Sequence, residues 1–375
     1  QRQMCIRDSH KTEVNRMELQ LKDIELAAER LKPILHHTEL DMSSTFSAMT
    51  GGEIYLKCEN RQKTGSFKIR GASNKIAALV ERGDVKSVVA SSAGNHAQGV
   101  AYAAHKFGIP ATIVMPASAP IAKVQATEGY GAKVVLHGDC YDETADAAHE
   151  YAETHGSTFV HPYDDLVTMG GQGTLADEVV MSGEGPFDRA YVAIGGGGLA
   201  ASVACWLKKF WPDIKVVGVE GVDQASMKTS MEQGHRVNLD YVDVFCDGTA
   251  VHIPGEYTYP LCRDLIDEFV TVTNNEVCQA IRAMWESSRV VPEPSGAMSL
   301  AGFMKQWNEG QVRPDEKSFV VISGANMDFT QLTQIARQAG IGNHETRYLR
   351  ISMASKRGQV LTYPVSYTHL TLPTT

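Results

Sequence analysis

An α/β fold of two lobes, with mainly parallel sheets and helices on both faces, is predicted by three features of this chain. Short β-branched runs recur along it, stretches of helical period separate them, and glycine loops stand where several runs give way to a helix. The runs are Ile54–Cys58, Ser87–Ala90, Ala111–Val114, Lys133–Leu136, Tyr191–Ile194, Lys215–Val219 and Ser318–Ile322, each read as a buried strand. Leu21, Ile24, Ala28 and Leu31 share one helical face, which Pro33 ends; Asn95–Phe107 reads as an alanine-rich helix and Ala200–Phe210 as another. Strands joined through helices imply βαβ crossovers and parallel pairing. Ligands of such sheets bind beyond the carboxyl ends of the strands, where the glycine loops lie here.

Size and charge narrow the class. A chain of 375 residues is long enough for a large core and for an enzyme. Its 35 Lys and Arg against 44 Asp and Glu leave a net charge of −9 with no basic tract, which argues against a nucleic-acid partner. No apolar run approaches the ~20 residues of a membrane helix, and the N-terminal region lacks a signal peptide's apolar core, so a cytoplasmic protein without a membrane partner is expected. The cysteines, Cys5, Cys58, Cys140, Cys205, Cys246, Cys262 and Cys278, are odd in number with no Cys-x-x-Cys pair. They read as free thiols rather than a disulfide framework or zinc cluster. Met4–Ser9 and Val365–Thr375 fit neither neighbouring pattern and read as translated adapter sequence, which makes 1–9 and 365–375 tails outside the fold.

Four short signatures carry candidate chemistry. Lys68, in Ser66-Phe67-Lys68-Ile69-Arg70-Gly71, has small and apolar neighbours that favour a neutral, nucleophilic amine. Alone it is weak evidence, because most lysines are solvated and Arg70 and Lys63 leave a basic turn as the alternative. Gly195-Gly196-Gly197-Gly198-Leu199 lies between a strand and a helix, where bare backbone N–H groups and a helix N-terminus suit a phosphate. A tight turn and a dinucleotide loop compete, the latter with Ala200 where a third glycine is usual. Ser92-Ala93-Gly94-Asn95-His96 opens the next helix, as a simple N-cap or as a carboxylate pocket whose Asn95 amide donates to a phenolic oxygen. Gly171-Gln172-Gly173-Thr174 looks like a further helix opening, and Glu293-Pro294-Ser295-Gly296-Ala297 like a loop beside the sheet.

Taken with Ser323-Gly324-Ala325-Asn326, these signatures stand in the order of one family. The chain resembles the fold-type II pyridoxal-phosphate enzymes, which are tryptophan synthase β-like, and within them is similar to biosynthetic threonine ammonia-lyases, or threonine dehydratases, from about Leu31 to about Ala339. The resemblance implies that Lys68 holds pyridoxal 5'-phosphate, that Phe67 packs near its ring, and that Asn95 bonds its phenolic oxygen. It places Gly195, Gly196, Gly197, Gly198 and Leu199 on the phosphate and Ser323 at the ring nitrogen. Ser92, Ala93, Gly94, Asn95 and His96 would line the pocket of an amino-acid substrate. No metal is assigned, although Glu220 ends a strand where some relatives bind a cation.

The implied reaction is β-elimination of L-threonine, and of L-serine, to 2-oxobutanoate or pyruvate and ammonia, the first step of isoleucine biosynthesis, in a homo-oligomer of two or four chains. A neutral Ser323 hydroxyl, unlike an aspartate, leaves the ring a weaker electron sink and favours elimination. Serine racemases resemble this family but carry a serine where Ala93 stands, so a serine racemase or serine dehydratase, or a catabolic threonine dehydratase, is the alternative; a nucleotide- or pyridoxal-phosphate-binding regulatory protein without catalysis is the alternative of another class. The same resemblance divides the chain into a catalytic domain over 10–342, with a smaller lobe at about 72–165 inserted in the larger, and the opening of a truncated ACT-like regulatory domain over 343–364.

Overall fold

The computed structural model describes residues 18–139 and 141–342. The expected tails at 1–9 and 365–375 and the expected regulatory segment at 343–364 lie outside the described residues. The chain opens with α1 (Leu21–Leu31), β1 (Leu40–Met42), α2 (Ser44–Thr50) and β2 (Glu53–Cys58). It then runs through α3 (Lys68–Arg82), β3 (Val88–Ser91), α4 (Asn95–Phe107), β4 (Ala111–Met115), α5 (Ile121–Gly129), β5 (Lys133–Leu136), α6 (Tyr141–His155) and β6 (Thr158–Phe159). α7 (Leu166–Met181), β7 (Arg189–Ala193), α8 (Gly198–Phe210), β8 (Lys215–Gly221), α9 (Ser226–Gln233), α10 (Thr258–Leu265) and β9 (Glu268–Val272) follow. α11 (Asn274–Ser288), α12 (Pro294–Asn308), β10 (Lys317–Ile322) and α13 (Gln331–Gly342) complete the described chain.

Two sheets result. The larger has the order β1-β2-β10-β7-β8-β9 and is parallel except for β1. The smaller, β5-β4-β3-β6, is wholly parallel. Strand side chains alternate between faces, and that alternation divides the core. From β7, Ala190 and Val192 join one cluster with Phe319 and Val321 of β10, while Tyr191 and Ala193 join the opposite cluster with Val320 and Ile322. In the smaller sheet Val88 and Ala90 face the cluster of α3 and α4, and Val89 faces Ala148 of α6. Among the described residues no helix is long and apolar enough to cross a membrane.

All seven predicted strands form, with ends shifted by at most two residues. The three that were not predicted, β1, β6 and β9, are edge strands of two, three or five residues, only partly buried. An edge strand needs no continuous apolar run, so it leaves little hydrophobic signal. On α1 the inward positions are Ile24, Ala27 and Leu31, so Ala27 takes the place expected for Ala28.

Two segments correct the sequence reading. Gly171-Gln172-Gly173-Thr174 lies inside α7, whose start is capped by Asp165 accepting from the Thr168 N–H at 2.8 Å. Its glycines permit close helix packing: a Cβ on Gly171 would stand 2.5 Å from the Arg70 carbonyl of α3, and one on Gly173 would stand 2.6 Å from Ile24 of α1. Glu293–Ala297 is likewise no loop. Glu293 stands at the N-cap position of α12 without a side-chain capping bond, and Pro294 takes its first turn, where a missing N–H costs nothing.

Gly171→Ala is therefore expected to overpack the α3–α7 contact and destabilise the fold by about 1–3 kcal/mol. Gly129→Ala, in open space, is the control that should leave the urea midpoint unchanged or higher.

Candidate active site

The first residue of α3 is Lys68. The turn before it is held by the end of β10: Phe67 N–H donates to the Ser323 carbonyl at 3.1 Å, Ala325 N–H donates to the Gly65 carbonyl at 2.9 Å, and Ser66 pairs with Gly324. Gly65 has φ +71, a left-handed backbone that suits glycine. This clasp joins two segments more than 250 residues apart in sequence. It puts Lys68 and Ser323 at one cavity wall.

The Lys68 amine is part-buried, donates to the Pro162 carbonyl at 2.8 Å and lies 5.4 Å from the centre of the Phe67 ring. Burial lowers its pKa to about 8, against the opposing pull of Glu293. A lysine so placed is partly neutral near physiological pH and can act as a nucleophile or base.

Arg70, two residues on, belongs to no surface turn. Its guanidinium donates to Glu59 at 2.7 and 2.8 Å and to Glu178 at 2.7 and 2.8 Å, and Lys57 meets Glu178 at 2.6 Å. Two cations and two anions thus pair beneath α3, with Lys57, Glu59 and Arg70 almost wholly buried. The carboxylates raise the Arg70 pKa and overcome its desolvation, while Arg70 and Lys57 hold Glu178 down at about 2.

The glycine loop joins β7 to α8. α8 begins at Gly198, two residues before the expected start, so Gly198 and Leu199 lie in its first turn with amides that have no intrahelical acceptor. Behind the loop, the Gly196 carbonyl accepts from Thr258 Oγ1. Side chains have no room there. A Cβ on Gly196 would stand 2.3 Å from the Tyr163 ring, one on Gly198 2.8 Å from the Tyr163 carbonyl, and Gly197 has φ +95. One cavity is lined by Phe67, Lys68, Asn95, Gly195 to Leu199, Glu293 and Ser323.

A second cavity of about 500 Å³ opens from it, lined by Ser92, Ala93, Gly94, Asn95 and His96 together with Val242, Val244 and Ile253. Lys68 and Asn95 line both. Ser92 to Gly94 form the loop after β3, with Gly94 N–H donating to Ser92 Oγ at 3.1 Å, and Asn95 and His96 open α4. His96 Nε2 lies 2.8 Å from the Val160 carbonyl, which can only accept, so that nitrogen carries the proton. Burial first, then the nearby Lys68, lowers the His96 pKa to about 3 and keeps the ring neutral. Ser323 Oγ donates to the Ser295 carbonyl at 3.4 Å.

Residues 31–324 match the family model described as pyridoxal-phosphate dependent enzyme. This chain belongs to that family. Within this pyridoxal-phosphate family, the L-threonine ammonia-lyase of Thermotoga maritima is 44% identical over 84% of this chain and 77% of its own length. The biosynthetic L-threonine dehydratase of Burkholderia multivorans is 40% identical over 88% of this chain and 65% of its own length, so the chain spans just under two thirds of that relative. Among solved structures, the processed form of threonine deaminase isoform 2 from Solanum lycopersicum is 37% identical, with a TM-score of 0.82 over 86% of this chain and 87% of that one.

The residues of this family member fit the cofactor. Bare backbone at a helix N-terminus suits the phosphate, the partly neutral Lys68 amine suits the aldehyde, the Asn95 amide suits the phenolic oxygen, and the Ser323 hydroxyl suits the ring nitrogen. Tyr163, Glu293 and Asn326 were not assigned roles from sequence. Asn326 stood inside a quoted signature and Glu293 inside another, whereas Tyr163 carried no local signal. Glu220, weighed as a cation ligand, instead accepts from the Met227 and Lys228 N–H groups at 2.9 and 2.8 Å at the start of α9. Among the described residues no group of three or more His, Cys, Asp or Glu is placed to hold a metal.

Two stability measurements follow from these charges. Arg70→Met would leave Glu59 and Glu178 facing each other with only Lys57, and is expected to cost about 3–5 kcal/mol in denaturant unfolding. The folded pKa of Lys68 lies below its unfolded value, so between about pH 8 and 10.5 the unfolded chain binds more protons and stability of the cofactor-free protein rises with pH. Lys68→Met should remove that rise, read as a urea midpoint that no longer increases between pH 8 and 10.5.

Proposed function

We propose that this protein is a threonine ammonia-lyase that converts L-threonine, and also L-serine, to a 2-oxo acid and ammonia. The observation that carries the reading is a desolvated Lys68 amine at the junction of the glycine-lined cavity and the cavity beside Ser92–His96. The names of the relatives support the substrate class. Bound pyridoxal phosphate would supply the aldehyde that captures the substrate amine and the ring that withdraws electrons from its α-carbon.

The chain's own groups would do the rest. Lys68 would hold the cofactor and, once freed, take the α-proton as a general base. The resulting ammonium would return a proton to the departing β-hydroxyl, which leaves as water when the Cβ–O bond breaks. Hydrolysis then consumes one water and releases ammonia, so threonine gives 2-oxobutanoate with no net change in water. Backbone N–H groups at the start of α4 would hold the substrate carboxylate, as helix N-termini do for anions. Ser323, neutral and already donating to Ser295, has no charge with which to stabilise a protonated ring nitrogen, which favours elimination over longer-lived carbanion chemistry.

Ala93 disfavours a racemase, because a methyl group cannot exchange a proton on the face opposite Lys68. We also assign a cytoplasmic place of action, a homo-oligomeric assembly and a role in isoleucine biosynthesis to this reading, together with the two-lobe division of 10–342 and a regulatory segment from 343.

With pyridoxal phosphate added, the purified chain is expected to form 2-oxobutanoate from L-threonine, and Lys68→Ala to lose roughly 10²–10⁴-fold or more of that rate. Racemisation of serine as fast as elimination would replace the lyase reading by the racemase one. Cofactor binding without release of any 2-oxo acid would leave only a binding protein.

A further inference from the structure

Two side-chain amides and a buried carboxyl form a chain whose polarity is set by one backbone carbonyl. Asn326 Nδ2 lies 2.6 Å from the Thr64 carbonyl. A carbonyl only accepts, so the nitrogen of that amide must face it. The same nitrogen lies 2.6 Å from Asn95 Oδ1, which obliges Asn95 to turn its oxygen towards Asn326. The Asn95 nitrogen then meets Glu293 Oε1 at 2.6 Å. One of its two hydrogens is used there, and the other is left for the cavity that Asn95 shares with Lys68 and Ser323.

We propose that Asn326 and Glu293 are positioning residues that lock the Asn95 amide with its N–H, and not its carbonyl, towards the phenolic oxygen of the bound cofactor. The proposal rests on the reading that Lys68 and Asn95 hold that cofactor. A reversed Asn95 amide would set N–H against N–H at Asn326 and a carbonyl against the phenolic oxygen, and Glu293 could meet its oxygen only by turning the carboxyl O–H towards it. The first two contacts are unfavourable.

The backbone around the lock leaves room for nothing else. A Cβ on Gly65 would stand 2.6 Å from Asn326 Oδ1, and one on Gly324 would stand 2.1 Å from Glu293 Oε1. The two glycines of the clasp are therefore the places into which the locking side chains fold. Glu293 is buried, and burial together with Asp247 raises its pKa to about 8, so it faces Asn95 largely as a neutral group at neutral pH. It serves as a hydrogen-bond acceptor more than as a charge.

The holoenzyme tests this without substrate, because the absorption of the bound cofactor reports what touches its phenolic oxygen. Glu293→Gln keeps an acceptor for the Asn95 N–H and is expected to keep the wild-type absorption maximum and cofactor Kd. Glu293→Ala removes the acceptor, and Asn326→Asp offers an oxygen where Asn95 now meets a nitrogen. Both are expected to shift the maximum and weaken cofactor binding roughly tenfold. If both keep the wild-type spectrum and Kd, or if Glu293→Gln departs as far as Glu293→Ala, the lock is overturned, the latter result making the charge of Glu293 the feature that matters. Should Asn326→Asp not fold, the two Glu293 variants decide between these outcomes. A wild-type protein that forms no 2-oxo acid yet shows these spectral differences would end the lyase reading and leave the lock intact.

Discussion

The backbone clasp between the Lys68 turn and the end of β10 is the constraint on which the site depends. Phe67 to Ser323 and Ala325 to Gly65 are ordinary hydrogen bonds, yet they tie the start of α3 to a strand at the far end of the chain. Everything that faces the inner cavity is referred to that joint. Ser323 follows β10 directly, Asn326 reaches across the joint to Thr64 and Asn95, and Glu293 N–H donates to the Gly324 carbonyl at 3.1 Å. Glycine at 65 and 324 lets two backbones and two polar side chains occupy a space that a single Cβ would close.

Charge is distributed around this joint in two regimes. Beneath α3 the buried ions come in matched sets: Arg70 and Lys57 against Glu59 and Glu178, each with several hydrogen bonds. In the cavity burial instead moves titratable groups towards their neutral forms, with Lys68 and Glu293 both moved to about 8 and His96 to about 3. Desolvation of the amine favours its neutral form and increases the influence of each added charge, such as a cofactor phosphate. The ion cluster is anchored to α3 itself, so it holds the helix bearing Lys68 without bringing a fixed charge to the amine.

Much of this was legible in the sequence, because strands and anion loops announce themselves locally. β7 and β10 are short apolar runs whose alternation matches the two faces they bury, and the four glycines after β7 have few other uses. Other features left no such mark. Gly171 and Gly173 read as a helix opening because glycine is disfavoured inside a helix, yet here they lie within α7 and let α3 and α1 approach it. Arg70 left a basic turn open as an alternative because its partners, Glu59 and Glu178, are brought to it by the turn after β2 and by α7. β1, β6 and β9 escaped notice because edge strands need no continuous apolar stripe.

What the sequence by itself determined was the α/β alternation, the amine, the glycine cradle and the hydroxyl that together identify the family, since each depends on residue types within a few positions of one another. Tertiary structure alone decided the pKa of Lys68, the partners of Arg70, and which end of the Asn95 amide faces the cavity. The reason is physical: desolvation, ion pairing and amide orientation depend on neighbours such as Glu178 for Arg70, Glu293 for Asn95 and Thr64 for Asn326, 108, 198 and 262 residues away in the chain, and no local pattern records who those neighbours are.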